Sequence, residues 1–157
     1  MDKIKTVEGE LIARDLRFTI VAARFNDFIV ASLINAAVRC LRRHGASDSN
    51  VELIRVPGAY EMPLAVDKVA AARRADGIIA LGAVIRGGTP HFDYVAGECM
   101  TGVAAAARKY GIPVGMGVLT VDTIEQAIER AGTKAGNKGE EAALATIEMV
   151  NLLRRLD

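Results

Sequence analysis

Hydrophobic and polar positions along the chain follow two periods that alternate. Short apolar runs rich in Ile and Val are typical of strands buried on both faces of a parallel sheet. The runs that predict strands are residues 17–24, 51–56, 78–85 and 112–119. Between them, apolar residues such as Ile29, Leu33 and Ala37 recur at helical spacing. This alternation predicts an α/β fold with three layers (α/β/α), in which helices cover both faces of a four-stranded, mainly parallel sheet.

Cap and turn residues predict where the helices begin and end. Asn26 or Asp27 is a suitable cap for the first helix, and Gly45 is a suitable stop. The other predicted boundaries are a second helix that ends at residues 73–75, a third from Pro90 to Lys109, a short fourth capped by Asp122 or Thr123, and a glycine-rich joint at residues 132–139 before the last helix.

The last helix is apolar on most of its circumference. Only a narrow polar stripe, which includes Glu141, Glu148 and Asn151, interrupts its Ala, Leu, Ile, Met and Val positions. A helix that is apolar nearly all round is buried. In a small domain, the second apolar face predicts contact with another subunit, and burial within the same chain is the alternative.

Chain length and the absence of long linkers or repeats predict a single domain over residues 1–157. Residues 1–16 are mixed in character, with extended structure expected around residues 7–12. One interpretation of this N-terminal segment is an extra strand that pairs with a neighbouring subunit. Hydrophobic residues make up 51% of the chain but aromatic residues only 4%, so we expect a core of small aliphatic residues with helices close to the sheet.

Charge and cysteine usage exclude several classes of protein. A net charge of +1 without a basic run argues against binding to nucleic acid or an anionic membrane. The charged first residues do not resemble a signal peptide, and no apolar stretch approaches the roughly 20 residues of a membrane helix. Cys40 and Cys99 lie far apart without a metal-ligand pattern, which predicts reduced, buried thiols in a cytoplasmic protein.

Residues 78–98 contain the most informative pattern in the chain. The strand at 78–85 stops at Arg86-Gly87-Gly88, where glycines permit a sharp turn and close approach of a ligand. Thr89 is then predicted as N-cap and Pro90 as the first helical residue, which places His91 in the first turn. Unpaired N–H groups at a helix start attract anions, and imidazole exchanges protons near neutral pH. We therefore predict a proton carrier beside an anion site.

The same stretch has a misleading resemblance to a nucleotide-binding P-loop. Residues 82–89 match the spacing of that motif, but Gly88 stands where the phosphate-binding lysine is required. This excludes a P-loop NTPase.

Three segments follow the predicted strand ends at the edge where parallel sheets bind ligands. They are Arg24-Phe25-Asn26, residues 57–61 and the loop with His91, a combination that suits a flat heteroaromatic ring beside a phosphate. Each residue also has a structural interpretation. Phe25 could cover the core, Glu61 could be a first-turn acid, and His91 a surface residue. Arg130 and Lys138 are either solvated charges or, given their distance along the chain, contribute across an interface.

Four motifs resemble those of the lumazine synthase (6,7-dimethyl-8-ribityllumazine synthase) family. They are residues 24–28, 56–63, 81–87 with 91–95, and 126–139, and they occur in family order from about Arg17 to the C-terminus. The resemblance implies a flavodoxin-like sheet and a transferase of riboflavin biosynthesis. Its reaction condenses 5-amino-6-(D-ribitylamino)uracil with 3,4-dihydroxy-2-butanone 4-phosphate and releases phosphate and water, with no cofactor or metal.

The resemblance also implies roles for individual residues. His91 would move protons during imine (Schiff base) formation, phosphate elimination and ring closure. The implied substrate contacts are Phe25 on the pyrimidine; Ala59, Tyr60, Glu61, Ala83, Val84 and Ile85 on the ring and ribityl chain; Gly88, Thr89 and Arg130 on the phosphate; and Lys138 and Met116 nearby.

Family members bind substrate between the subunits of a homopentamer, and the short joint at 132–139 resembles members whose pentamers form icosahedral shells. Riboflavin synthase is a further partner that the resemblance suggests.

Two departures from the family pattern stand out. Met116 replaces an aromatic residue found in several relatives, and Pro90 removes one N–H donor. The alternatives are a weakly catalytic paralogue that binds flavin and a flavodoxin-like FMN carrier.

Overall fold

Four parallel strands form the centre of the computed structural model, which describes residues 3–157. The strands are β1 (Phe18–Ala23), β2 (Val51–Val56), β3 (Gly77–Ile85) and β4 (Val114–Val121). Their spatial order is β2-β1-β3-β4, so β4 is an edge strand. Met1 and Asp2, the first two residues of the predicted N-terminal segment, lie outside the described residues.

Helices cover both faces of this sheet. They are α1 (Asp27–Arg43), α2 (Met62–Ala71), α3 (His91–Tyr110), α4 (Ile124–Glu129) and α5 (Lys138–Leu156). Successive strand residues face opposite layers, because Ile20 packs in the cluster that contains α1 and α5, and Val21 packs in the cluster that contains α2 and α3. The predicted three-layer α/β fold with a parallel sheet is confirmed.

Small residues allow α5 to lie very close to the sheet. A Cβ atom added at Gly115 would be 2.2 Å from the Thr146 hydroxyl oxygen and 2.4 Å from the carbonyl oxygen of Ala142. An added Cβ at Gly77 would be 2.6 Å from the methyl group of Thr146. These contacts confirm the close helix–sheet packing predicted from the scarcity of aromatic residues.

Several predicted boundaries are wrong by a few residues. The fourth strand begins at Val114 rather than residue 112, because Gly111 ends α3 in a left-handed conformation and Pro113 has no N–H to donate. The second helix ends at Ala71, and Arg73 leaves it with a left-handed φ of 54°.

The glycine-rich joint contains regular structure that the sequence did not predict. Ala131–Thr133 (β5) and Gly136–Asn137 (β6) form an antiparallel hairpin, and Gly136 has a φ of 78°. The hairpin leads directly into α5, whose cap is Asn137. The side-chain oxygen of Asn137 accepts bonds from the N–H groups of Gly139 and Glu140.

The N-terminal segment lies against α5 of the same chain. The Asn151 amide donates to the carbonyl oxygens of Glu10 (2.6 Å) and Ile12 (2.9 Å), and Arg155 pairs with the Glu10 carboxylate. The N-terminal segment therefore lies along the polar stripe of α5, whereas Met149 on the apolar surface of the helix remains exposed. Among the described residues the segment joins no strand, and its pairing with a neighbouring subunit stays a prediction. None of the described helices combines the length and apolarity needed to cross a membrane.

Candidate functional site

A cleft opens where β1, β2 and β3 end. It consists of two adjoining hollows with volumes of about 190 and 520 Å³, and both hollows are lined by Phe25, Ala59, His91 and Val95. Phe25 follows β1, Ala59 follows β2 in a short 3₁₀ turn (Ala59–Glu61), and His91 is the first residue of α3. The structure thus brings together the three segments that the sequence placed at one sheet edge.

Backbone pairing between β1 and β2 continues past the strand ends and positions Phe25. The N–H of Arg24 donates to the carbonyl of Val56 (2.8 Å), and the N–H of Phe25 donates to that of Pro57 (3.0 Å). The side chain of Phe25 is 73% exposed, so the alternative that it covers the core is wrong. Its ring presents a large apolar surface at the cleft, which suits stacking on a planar ligand.

Asn26 occupies the N-cap position of α1 but does not cap it with its side chain. Its backbone is left-handed (φ 65°), and its amide instead donates to the carbonyl oxygen of Ala83 (2.8 Å). This bond ties the end of β1 to the end of β3, where Ala83, Val84 and Ile85 line the smaller hollow. The predicted N-cap position of Asn26 is confirmed, but its side chain does not cap the helix, because a tertiary contact with β3 engages the amide.

Tyr60 and Glu61 lie at the wider hollow, and both are exposed. Glu61 stands immediately before α2 without accepting a capping bond from that helix. Its carboxylate therefore remains available to a hydrogen-bond donor in the cleft.

The loop before His91 differs from its predicted geometry. Pro90, not Thr89, occupies the N-cap position, the helix begins at His91, and no side chain caps it. Gly87 and Gly88 do not have positive φ values, and nothing lies within 4 Å of a Cβ added at either position. Neither a left-handed turn nor packing within the chain requires these glycines. The loop presents an open, exposed backbone beside the cleft.

Arg130, Lys138 and Met116 lie in a separate depression of about 510 Å³ along the edge strand β4. None of its lining residues is shared with the His91 cleft. The β5–β6 hairpin places the two residues side by side, since the N–H of Lys138 donates to the carbonyl of Arg130 (2.9 Å). Within one chain, therefore, the structure does not bring these residues to His91.

Both cations have exposed acidic neighbours. Arg130 is 3.6 Å from the Glu129 carboxylate, and Lys138 is 3.3 Å from that of Glu141. Such exposed pairs contribute little to stability, so an incoming anion can exchange for either carboxylate at small cost.

The sequence reasoning missed several residues that line or support the cleft. Val95 is one helical turn after His91, and this spacing of four residues could have indicated that they share a face. Phe92 lines the smaller hollow as well. Arg86 contacts Asp122 just after β4 and two residues in the first turn of α3, and nothing local in the sequence indicated those contacts.

The described residues include neither a cluster of metal ligands nor a reactive thiol. Within residues 3–157, no group of three or more His, Cys, Asp or Glu side chains is arranged to hold a metal ion. Burial raises the pKa of the Cys99 thiol to about 11. Burial, with a smaller contribution from Glu140, raises the pKa of Cys40 to about 11 as well. Both thiols are therefore protonated near neutral pH and are poor nucleophiles.

Comparison with known proteins agrees with the resemblance found in the motifs. A sequence model of the 6,7-dimethyl-8-ribityllumazine synthase family matches residues 15–154. A protein of Halorhodospira halophila (strain DSM 244 / SL1) named 6,7-dimethyl-8-ribityllumazine synthase is 63% identical over 155 residues, which cover 98% of this chain and 99% of that protein. The chain belongs to the 6,7-dimethyl-8-ribityllumazine synthase family.

Proposed function

We propose that this protein condenses 5-amino-6-(D-ribitylamino)uracil with 3,4-dihydroxy-2-butanone 4-phosphate to form 6,7-dimethyl-8-ribityllumazine, phosphate and water in riboflavin biosynthesis. Family membership defines the reaction. The observation that carries the proposal for this chain is that the exposed ring of Phe25 and the imidazole of His91 share one cleft beside an open glycine loop. That arrangement suits a planar pyrimidine next to a phosphate ester.

The pyrimidine substrate occupies the cleft of one chain. Its ring stacks on Phe25, which is largely exposed at the cleft. The remaining ring and ribityl contacts come from the two strand ends, namely Ala59, Tyr60 and Glu61 after β2 and Ala83, Val84 and Ile85 at the end of β3. Glu61 supplies the carboxylate that accepts hydrogen bonds from the ligand.

The phosphate ester binds beside the loop after β3. Gly88 and Thr89 offer backbone N–H groups, and Arg130 supplies a guanidinium that can bind two phosphate oxygens at once. Lys138 adds a second positive charge. His91 transfers protons as the 5-amino group and the ketone form an imine with loss of water, and as phosphate is eliminated. It does so again as the ribitylamino nitrogen attacks the remaining carbonyl and closes the ring with loss of a second water.

Two neighbouring chains complete each site. This proposal is supported by the separation of the two regions within one chain, because the His91 cleft and the depression that holds Arg130, Lys138 and Met116 share no lining residue. Exposed apolar side chains near both regions are suited to a subunit contact. They are Phe28, Leu64 and Tyr94 on one side and Ile124 and Ile128 on the other.

We propose a ring of five such chains in the cytoplasm, with pentamers assembling into an icosahedral shell and riboflavin synthase as a further partner. The hairpin at residues 131–137 is short, which supports the shell because it adds no bulky insertion. Native mass measurement tests the assembly. A species with the mass of a single chain would contradict it.

The reaction is tested by mixing the purified protein with both substrates and following the fluorescence of the lumazine product. His91→Ala is expected to lower kcat by about 10²–10⁴-fold, the usual contribution of a positioned proton carrier. His44→Ala is the matched control, because His44 lies at the end of α1 and hydrogen-bonds to the Cys40 carbonyl (2.7 Å). A normal kcat in His91→Ala would remove that residue from its role. A background rate in the unaltered protein together with riboflavin binding would support the flavin-binding alternative.

Complementation tests the shared site directly. With the phosphorylated substrate held well below the raised KM of Arg130→Ala, chains carrying His91→Ala and chains carrying Arg130→Ala are each expected to be nearly inactive as separate assemblies. In a ring that mixes them randomly, about a quarter of the interfaces combine an intact His91 cleft with an intact Arg130, so activity returns. If both residues acted within one chain, mixing would restore nothing.

A further inference from the structure

The loop that carries His91 has few local restraints. Pro90 stands at the N-cap without a capping side-chain bond, and Gly87 and Gly88 touch nothing within 4 Å of an added Cβ. The N–H of Arg86 donates to the carbonyl of Val121 (2.9 Å) where the loop begins. Such a loop would move easily unless a side chain fixed its far end.

The side chain of Arg86 contacts the residue that follows β4 and the first turn of α3, where the loop ends. Its Nε donates to Asp122 Oδ1 at 2.9 Å, immediately after β4. Its Nη1 lies 3.5 Å from Asp93 Oδ1, and its Cζ lies 4.3 Å from the centroid of the Phe92 ring. Phe92 and Asp93 directly follow His91 in the first turn of α3. One planar guanidinium therefore links the edge strand to the helix start that carries the imidazole.

We propose that Arg86 is a positioning residue for His91, which it holds at the cleft by clamping the first turn of α3 to the end of β4. The inference rests on the role proposed above for His91. Arg86 is suited to this task because its planar guanidinium can donate to two carboxylates while its face stacks on an aromatic ring. A shift of the imidazole by about 1 Å is enough to lower the rate substantially.

The test is a double-mutant cycle with Arg86→Met and His91→Ala. Methionine keeps the apolar stem of Arg86 and removes both ion pairs. In the protein with His91, Arg86→Met is expected to lower kcat by about ten- to a hundredfold, with little change in the KM of the pyrimidine substrate. In the His91→Ala protein the same change is expected to have no further effect, because the positioned group is gone.

Arg42→Met is the matched control. Arg42 forms a similar ion pair with Asp48 (2.7 Å), which lies after α1 and lines neither hollow of the cleft. The kcat of Arg42→Met is expected to equal that of the unaltered protein. Asp122→Ala is a second variant that removes the Arg86 Nε contact to Asp122 but leaves the arginine in place. It should lower kcat in the same direction, again only when His91 is present. Thermal unfolding and native mass of each variant report whether it folds and assembles.

The outcomes separate this inference from the proposed function. A normal kcat in Arg86→Met, alongside a slow His91→Ala, would overturn the inference and leave the role of His91 intact. An equal loss in both backgrounds would also overturn it, because Arg86 would then act without His91. A normal kcat in His91→Ala would overturn both.

Discussion

Gly139 is the position where packing of the fold and placement of the candidate site are most closely coupled. It is the second residue of α5, directly after Lys138. A Cβ added there would lie 2.2 Å from the carbonyl oxygen of Leu33 and within 3 Å of two further backbone atoms of that residue. Since these atoms belong to the backbone of α1, no side-chain rotation can relieve the contact, and the start of α5 must move by more than about 1 Å.

The expected effect of Gly139→Ala follows from competing terms. Alanine gains about 1 kcal/mol over glycine in a helix. Overpacking against a fixed backbone costs about 1–3 kcal/mol. Moving α5 also stretches the 3.3 Å bond from the Asn137 amide to the Ser32 carbonyl, worth about 0.5–1.5 kcal/mol. We expect a net loss of about 0.5–3.5 kcal/mol in the free energy of unfolding. Each kcal/mol lowers Tm by about 2–4 °C in a chain of this size.

Gly97→Ala is the control for this prediction. Gly97 lies within α3, and nothing is within 4 Å of its added Cβ. The same chemical change should therefore leave Tm unchanged or raise it. Both variants are compared by thermal unfolding at one protein concentration, because Tm of an oligomer depends on concentration. A Tm of Gly139→Ala at or above that of the unaltered protein would refute the reasoning. Since Lys138 moves with α5, KM for the phosphorylated substrate should also rise.

The remaining predictions concern ligand binding, thiols and the N-terminal segment. Arg130→Ala should raise KM for the phosphorylated substrate far more than KM for the pyrimidine, and equal changes in steady-state kinetics would count against a phosphate contact. Met116→Phe should tighten product binding, measured by fluorescence titration. Stacking of two aromatic rings contributes about 0.5–1.5 kcal/mol more than the burial of their surface alone. With pKa values raised to about 11, Cys40 and Cys99 should react with a thiol reagent at pH 8 only after unfolding; rapid labelling of the folded protein would show otherwise. Asn151→Leu should speed proteolysis of the N-terminal segment, and an unchanged digestion pattern would mean that its two bonds to that segment do not hold it.

Much of the architecture follows from local pattern. Apolar runs of Ile and Val need burial on both faces, and helical spacing between them provides the covering layers, so a parallel sheet was predictable without tertiary information. The same reasoning placed Phe25, Glu61 and His91 at one edge, because parallel strands end together there. Where neighbouring residues compete for one role, local pattern was less reliable. Thr89 and Asn26 both have side chains suited to capping, but the first does not cap α3 and the second bonds to Ala83 instead.

Sequence alone determined the chain's alternating elements, its close-packed core of small residues and the motifs of its family, since each depends on residues near one another in the chain. Tertiary structure decided that Arg86 reaches Asp122, 36 residues away, and that Arg130 and Lys138 share a depression apart from His91. Those arrangements depend on how distant segments approach one another in space. No local period encodes them, because side-chain spacing specifies which face a residue occupies but not what lies opposite that face.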